Sequence, residues 1–97
     1  MKLRIQRRAL QQIDRALAYI AAQSPQGATK VEARLSEVLA VVRDHPLSGR
    51  KTSIPGVRRV FLTPYPYHID YFADDDEIVV QRFRHAARKP LPGAGKS

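Results

Sequence analysis

The chain has 97 residues and a formal net charge of +8, from 17 lysines and arginines against 9 acids. That length supports one modest domain at most. It holds no cysteine, which excludes disulfide staples and thiolate metal sites, and no apolar run nears the ~20 residues of a membrane-spanning helix.

The basic opening MKLRIQRRAL lacks the apolar core of a signal peptide. Together with the missing cysteines it fits a cytoplasmic setting. Arginines outnumber lysines 12 to 5, and arginine forks suit carboxylate and phosphate partners. The charge is read as pointing to an acidic partner, either a nucleic acid or an acidic protein, beside the bland reading of a merely soluble basic surface.

KLRIQR (2–7) alternates, with Leu3 and Ile5 on one side and Lys2, Arg4 and Gln6 on the other. That is a half-buried strand. From Ala9 to Gln23, Leu10, Ile13, Leu17 and Ile20 recur at helical spacing, with Ala9 and Ala16 in the same stripe. Ser24-Pro25 then reads as an N-cap followed by proline at the first helical position. A second helix runs to about Asp44, with Ala28, Val31, Leu35, Val38, Leu39 and Val42 as its stripe, and His45-Pro46 stops it. After a polar turn from Ser48 to Pro55 the period changes to two. VRRVFLT (57–63) is a strand; Tyr67, Ile69 and Tyr71 alternate with His68 and Asp70 in the next; Ile78 to Phe83 is the last.

The order is β-α-α-β-β-β. The predicted fold is α+β, a helical hairpin packed on one face of a small, mostly antiparallel four-stranded sheet. The other face has no helix to cover it, and Arg59 and His68 are expected there. Residues 1–89 form the single domain, and PLPGAGKS (90–97) is expected to fray as a tail.

Some residues have a bland reading and a functional one. Asp74, Asp75, Asp76 and Glu77 lack the ligand pattern of a calcium loop and read as a solvated hairpin turn; no metal is expected. Tyr65, Tyr67 and Tyr71 stand near arginines and could stack on bases, but alternating tyrosines here more often pack into the core with the hydroxyl at the rim. His45 reads as a helix-end residue. QRFRHAARKP (81–90) concentrates Arg82, Arg84, His85, Arg88 and Lys89 at and beyond the last strand. It is either a docking surface or a solubilising tail.

Four stretches, in this order and spacing, resemble the RelE/ParE superfamily of toxins from bacterial type II toxin–antitoxin pairs. They are ALAYIAAQSP, DHPLSGR, VRRVFLTPYPYHIDYF and RFRHAARKP. The resemblance covers residues 2 to 89. It implies a small antitoxin partner that wraps the helices and adds to the sheet, with higher-order assembly of the pair as a further possibility. RelE-like members cleave mRNA in the ribosome, whereas ParE-like members poison DNA gyrase. The close HAAR and the helix exit HPLSGR resemble the ParE side.

Cleaving RNA through its 2′-hydroxyl needs a base, an acid and cations around the phosphorane. By resemblance, Arg59 stands where a RelE-like strand cation would be, His68 stands where those nucleases often place arginine, and Arg88 matches a C-terminal arginine. Phe61 replaces a second cation, and no tyrosine follows Tyr71 to fill a C-terminal role. His68 and His85 are the proton-transfer candidates. The set Arg59, His68, His85 and Arg88 is thus an incomplete nuclease site. The expected function is gyrase inhibition by binding, without cofactor, through Arg59, Arg82, Arg84, His85 and Arg88; ribosome-dependent mRNA cleavage is the alternative.

Overall fold

A computed structural model describes residues 1–86. Strand β1 (Lys2–Ile5) leads into helix α1 (Arg7–Gln23) and helix α2 (Pro25–Asp44). Four further strands follow: β2 (Arg50–Lys51), β3 (Val57–Phe61), β4 (Tyr67–Ala73) and β5 (Glu77–His85). They form one sheet in the order β1-β5-β4-β3-β2. β1 lies parallel to β5, and the other neighbours are antiparallel. The sheet therefore has five strands, one more than the sequence pattern predicts. The extra strand, β2, lies inside the stretch expected to be a polar turn.

The helices form where their stripes and caps dictate. Ser24 Oγ accepts from the Gly27 N–H at 3.0 Å, which caps α2 with Pro25 at its first position. His45 closes the same helix, its N–H donating to the Val41 carbonyl at 2.8 Å. Ala9 and Ile13 of α1, and Val31, Leu35, Val38 and Val42 of α2, are buried against Ile69, Tyr71, Ile78, Val80 and Phe83 of the sheet. Leu10 departs from its predicted place. It stays 47% exposed, because it sits on the border of the stripe in the first turn while the smaller Ala9 takes the buried position. Among the described residues no helix is long and apolar enough to cross a membrane.

Strand β2 is held from both sides by polar contacts. The Tyr71 hydroxyl, on a fully buried ring, donates to the Pro46 carbonyl at 2.7 Å and accepts from the Gly49 N–H at 2.9 Å. Arg58 donates to the carbonyls of Leu47 and Gly49 at 3.3 and 2.9 Å. A Cβ at position 49 would stand 2.7 Å from the Tyr71 oxygen, so only glycine fits there. These bonds press Arg50 and Lys51 onto the edge of β3.

The acidic turn is likewise built by hydrogen bonds. Asp74 Oδ1 accepts from the N–H groups of Asp76 and Glu77 at 2.9 and 2.8 Å, which closes the β4–β5 hairpin as an Asx turn. The same two backbone bonds, the one from Glu77 first, hold the Asp74 carboxyl below its usual range.

Candidate target-docking face

Alternation along the central strands sorts the side chains. Tyr67, Ile69 and Tyr71 of β4 turn toward the helices and join the core, so His68 and Asp70 turn the other way. The cross-strand register then defines the uncovered face. One row runs Arg50, Arg59, Asp70, Arg82 across β2, β3, β4 and β5. The next runs Phe61, His68, Arg84. A third contains Val57, Phe72, Val79 and, on β1, Arg4. The face is thus rich in arginine, with an aromatic ring on β3.

Two of its arginines already have carboxylate partners. Arg59 donates from Nε to Asp70 Oδ1 at 2.7 Å and from Nη2 to Oδ2 at 3.1 Å. This is a bidentate pair with a carboxylate that is almost fully buried. The bonds to Asp70 raise the Arg59 pKa still further. Arg4 pairs with Glu77 at 3.1 Å near β1. Among the described residues Arg50, Arg82 and Arg84 form no ion pair. With Lys2 at the β1 edge, they carry the free positive charge of the face.

His68 lies beneath this layer, 7% exposed. Its Nδ1 is buried without a hydrogen-bond partner and stands 3.5 Å from Asp70 Oδ1, too far for a well-formed bond. The Phe61 ring meets it edge-on at 5.6 Å. Burial is the main cause that lowers its pKa; Arg59 and Arg84 push the same way, and Asp70 only partly opposes them. At neutral pH the imidazole is uncharged.

His85 goes to the other side of the sheet. It meets Tyr67 edge-on at 5.2 Å, and Tyr67 in turn stacks on Phe83 at 5.1 Å, within the helix-side core. The expected docking set is therefore divided. Arg59, Arg82 and Arg84 share the open face, and His85 is not with them. The alternative nuclease set is divided too, because His68 and His85 lie on opposite faces. Arg88, with Lys89 and the predicted tail 90–97, lies outside the described residues. Tyr65, Tyr67 and Tyr71 pack with the core, as the alternation suggested.

The face also contains residues that the sequence reading passed over. Asp70 was legible as a carboxylate in phase with His68, but its partner depends on which β3 residue stands opposite. Arg50 falls inside the predicted polar turn and instead pairs, in β2, with Arg59 of β3. Phe61, in the sequence only the replacement for a second cation, is 39% exposed with the Arg50 guanidinium carbon over its ring, 6.0 Å from the centroid.

Over residues 3–90 the chain matches the family described as "ParE toxin of type II toxin-antitoxin system, parDE". A Sinorhizobium fredii protein named "Putative toxin Y4kP" is 34% identical over 79 residues, which span 80% of this chain and 82% of that protein. Among solved structures, the chromosomal ParDE TA system from P. aeruginosa superposes with a TM-score of 0.74 at 24% identity, covering 88% of this chain and 95% of that one. The isolated E. coli RelE toxin gives a TM-score of 0.64 at 18% identity, covering 95% and 90%. Both structural neighbours share the fold.

Proposed function

Because the chain belongs to the ParE toxin family of type II toxin–antitoxin systems, we propose that it acts by binding, with DNA gyrase as its target and the open arginine face as its docking surface. The observation that carries this reading over the nuclease one is the separation of the two histidines. A base and an acid must reach the same phosphate, and the sheet lies between His68 and His85. His68 is also buried and uncharged, and of the two arginines that act on it Arg59 is tied to Asp70, while Arg84 stays free. Arg82, Arg84 and Arg50 remain available to a partner. A docking face needs such donors and no proton transfer.

A cognate antitoxin is the second partner. Leu10 and Tyr19 of α1 and Val41 of α2 stay 47%, 67% and 50% exposed, and they offer an amphipathic helix apolar contacts. The ends of the sheet, β1 and β2, can accept an extended segment. The charge of +8 calls for an acidic partner.

Two assays on purified protein test the reading. One mixes the toxin with gyrase, ATP and supercoiled DNA; the other mixes it with programmed ribosomes and mRNA. Lost supercoiling or trapped cleaved DNA in the first, with intact mRNA in the second, is the expected result. Codon-positioned mRNA cleavage that disappears in His68→Gln or His85→Gln overturns it.

A further inference from the structure

We propose that the open face binds single-stranded DNA directly, with the Phe61 ring as a stacking platform and Arg50, Arg82 and Arg84 as phosphate contacts. The choice of DNA over RNA rests on the gyrase reading; the binding itself does not.

Three independent features lead to a nucleic-acid strand. The first is the ring. Among the described residues Phe61 is the one large apolar side chain on the face left substantially exposed, at 39%, while its row-mate His68 is buried. A ring left partly exposed, with the Arg50 guanidinium over it, offers aromatic surface to an unstacked base, and stacking of this kind is tolerant of sequence. The second is the charge around the ring. Arg50 lies against it on one side, and Arg84 follows two strands away, about 10 Å at ordinary strand spacing. The third is a shallow, open basic cleft of about 490 Å³ where β1 ends beside β5, lined by Gln6, Arg7, Arg8, Gln81 and Arg82. Arg82 belongs to both the lining of the cleft and the open face, and so links the two. The register slip at Asp70/Tyr71, where Arg82 and Val80 are the paired residues, leaves Gln81 as the extra residue at the lip of the cleft.

An acidic peptide matches this surface less well. It could use the arginines but has no π-face for Phe61. The carboxylates that the face accommodates are already internal, Asp70 on Arg59 and Glu77 on Arg4. A duplex keeps its bases stacked and would leave the ring unused. Telling RNA from DNA requires a group that reads the 2′-hydroxyl. Among the described residues the charged groups left free on the face are arginine and lysine donors, and the carboxylate of Asp70 is held by Arg59.

Fluorescence anisotropy of the full chain tests the proposal without gyrase. The probes are a labelled oligothymidylate of about 12 nucleotides, within the range a single strand-binding fold occupies, the matching duplex, an oligouridylate of equal length, and a polyglutamate peptide. The oligothymidylate is expected to bind tightest or equal to oligouridylate, with affinity falling as salt rises. Phe61→Leu should weaken it about 5- to 150-fold, Phe61→Tyr should retain it, and Arg84→Gln should weaken it and flatten the salt dependence. Arg43→Gln, on an exposed α2 arginine away from the face, should change nothing. Circular dichroism checks that each variant is folded. Unchanged binding in folded Phe61→Leu and Arg84→Gln, an equal loss in Arg43→Gln, or preference for the peptide, the duplex or RNA overturns the proposal. Oligonucleotide binding without gyrase inhibition removes the docking reading and keeps this one; gyrase inhibition without oligonucleotide binding does the reverse.

Discussion

Asp70 fixes what Arg59 can do. The carboxylate is nearly buried and accepts both arms of the guanidinium, so deleting Arg59 strands a charge in the sheet. Breaking such pairs is strongly destabilising, although the arginine side chain is 39% exposed, so water can partly replace it. We expect Arg59→Ala to cost about 2 kcal/mol in urea unfolding, whereas Arg84→Ala, on an exposed side chain, stays within about 0.5 kcal/mol. A loss of toxicity in Arg59→Ala is therefore a folding effect first, and Arg82 and Arg84 are the informative positions for docking. His68 adds a dependence on pH. Its folded pKa lies below the ordinary value, chiefly through burial. Between that lowered value and about 6.5, the unfolded chain binds the proton and the folded chain does not. Stability then falls as pH drops below about 6.5 and levels off once the folded imidazole also charges. Asp74 does not enter this window, because its lowered carboxyl loses its contribution only near and below its ordinary value of 3.8. Thermal melts from pH 7 to pH 5 should show the decline, and His68→Gln should shrink it; an equal decline in the variant contradicts the assignment.

At the scale of elements, some features were legible in the sequence and others were not, for definite reasons. The helices announced themselves through long stripes and the Ser24-Pro25 cap, and β3, β4 and β5 through period-two alternation. The open face followed from counting helices: two can cover one side of a sheet. Strand β2 was hidden because both its residues are exposed, so burial leaves no pattern. Its pairing depends on Tyr71, which lies more than twenty positions along the chain from Pro46 and Gly49. The division of His68 from His85 was hidden differently. The slip at Asp70/Tyr71 changes the phase of β5 after Val80, so counting by twos from Ile78 puts His85 on the wrong side. Tyr71→Phe tests the β2 account. It leaves the Pro46 carbonyl and the Gly49 N–H without their buried partner, and should cost about 1–3 kcal/mol in unfolding free energy. It should also speed amide exchange at Gly49; unchanged stability and exchange would show that β2 is held by other means.

For the whole molecule, charge and topology act together. Seventeen basic groups against nine acids give a field that steers acidic partners, and the helices leave one sheet face free to use it. Association with an acidic antitoxin should slow several-fold as ionic strength rises from about 0.01 to 0.15 M, because screening shortens the reach of that field. Stopped-flow mixing measures this, and a rate indifferent to salt counts against an acidic partner.

The central claim is that this chain inhibits gyrase by docking its open arginine face. The most direct measurement is gyrase supercoiling at graded toxin concentration, comparing the wild-type chain with folded Arg82→Ala/Arg84→Ala. Both arginines are free of ion pairs among the described residues, so the double variant should fold normally. The account predicts inhibition by the wild type and at least a tenfold higher concentration for the variant, about 1.4 kcal/mol of lost binding. Equal inhibition by the two proteins, or none by either, would contradict it.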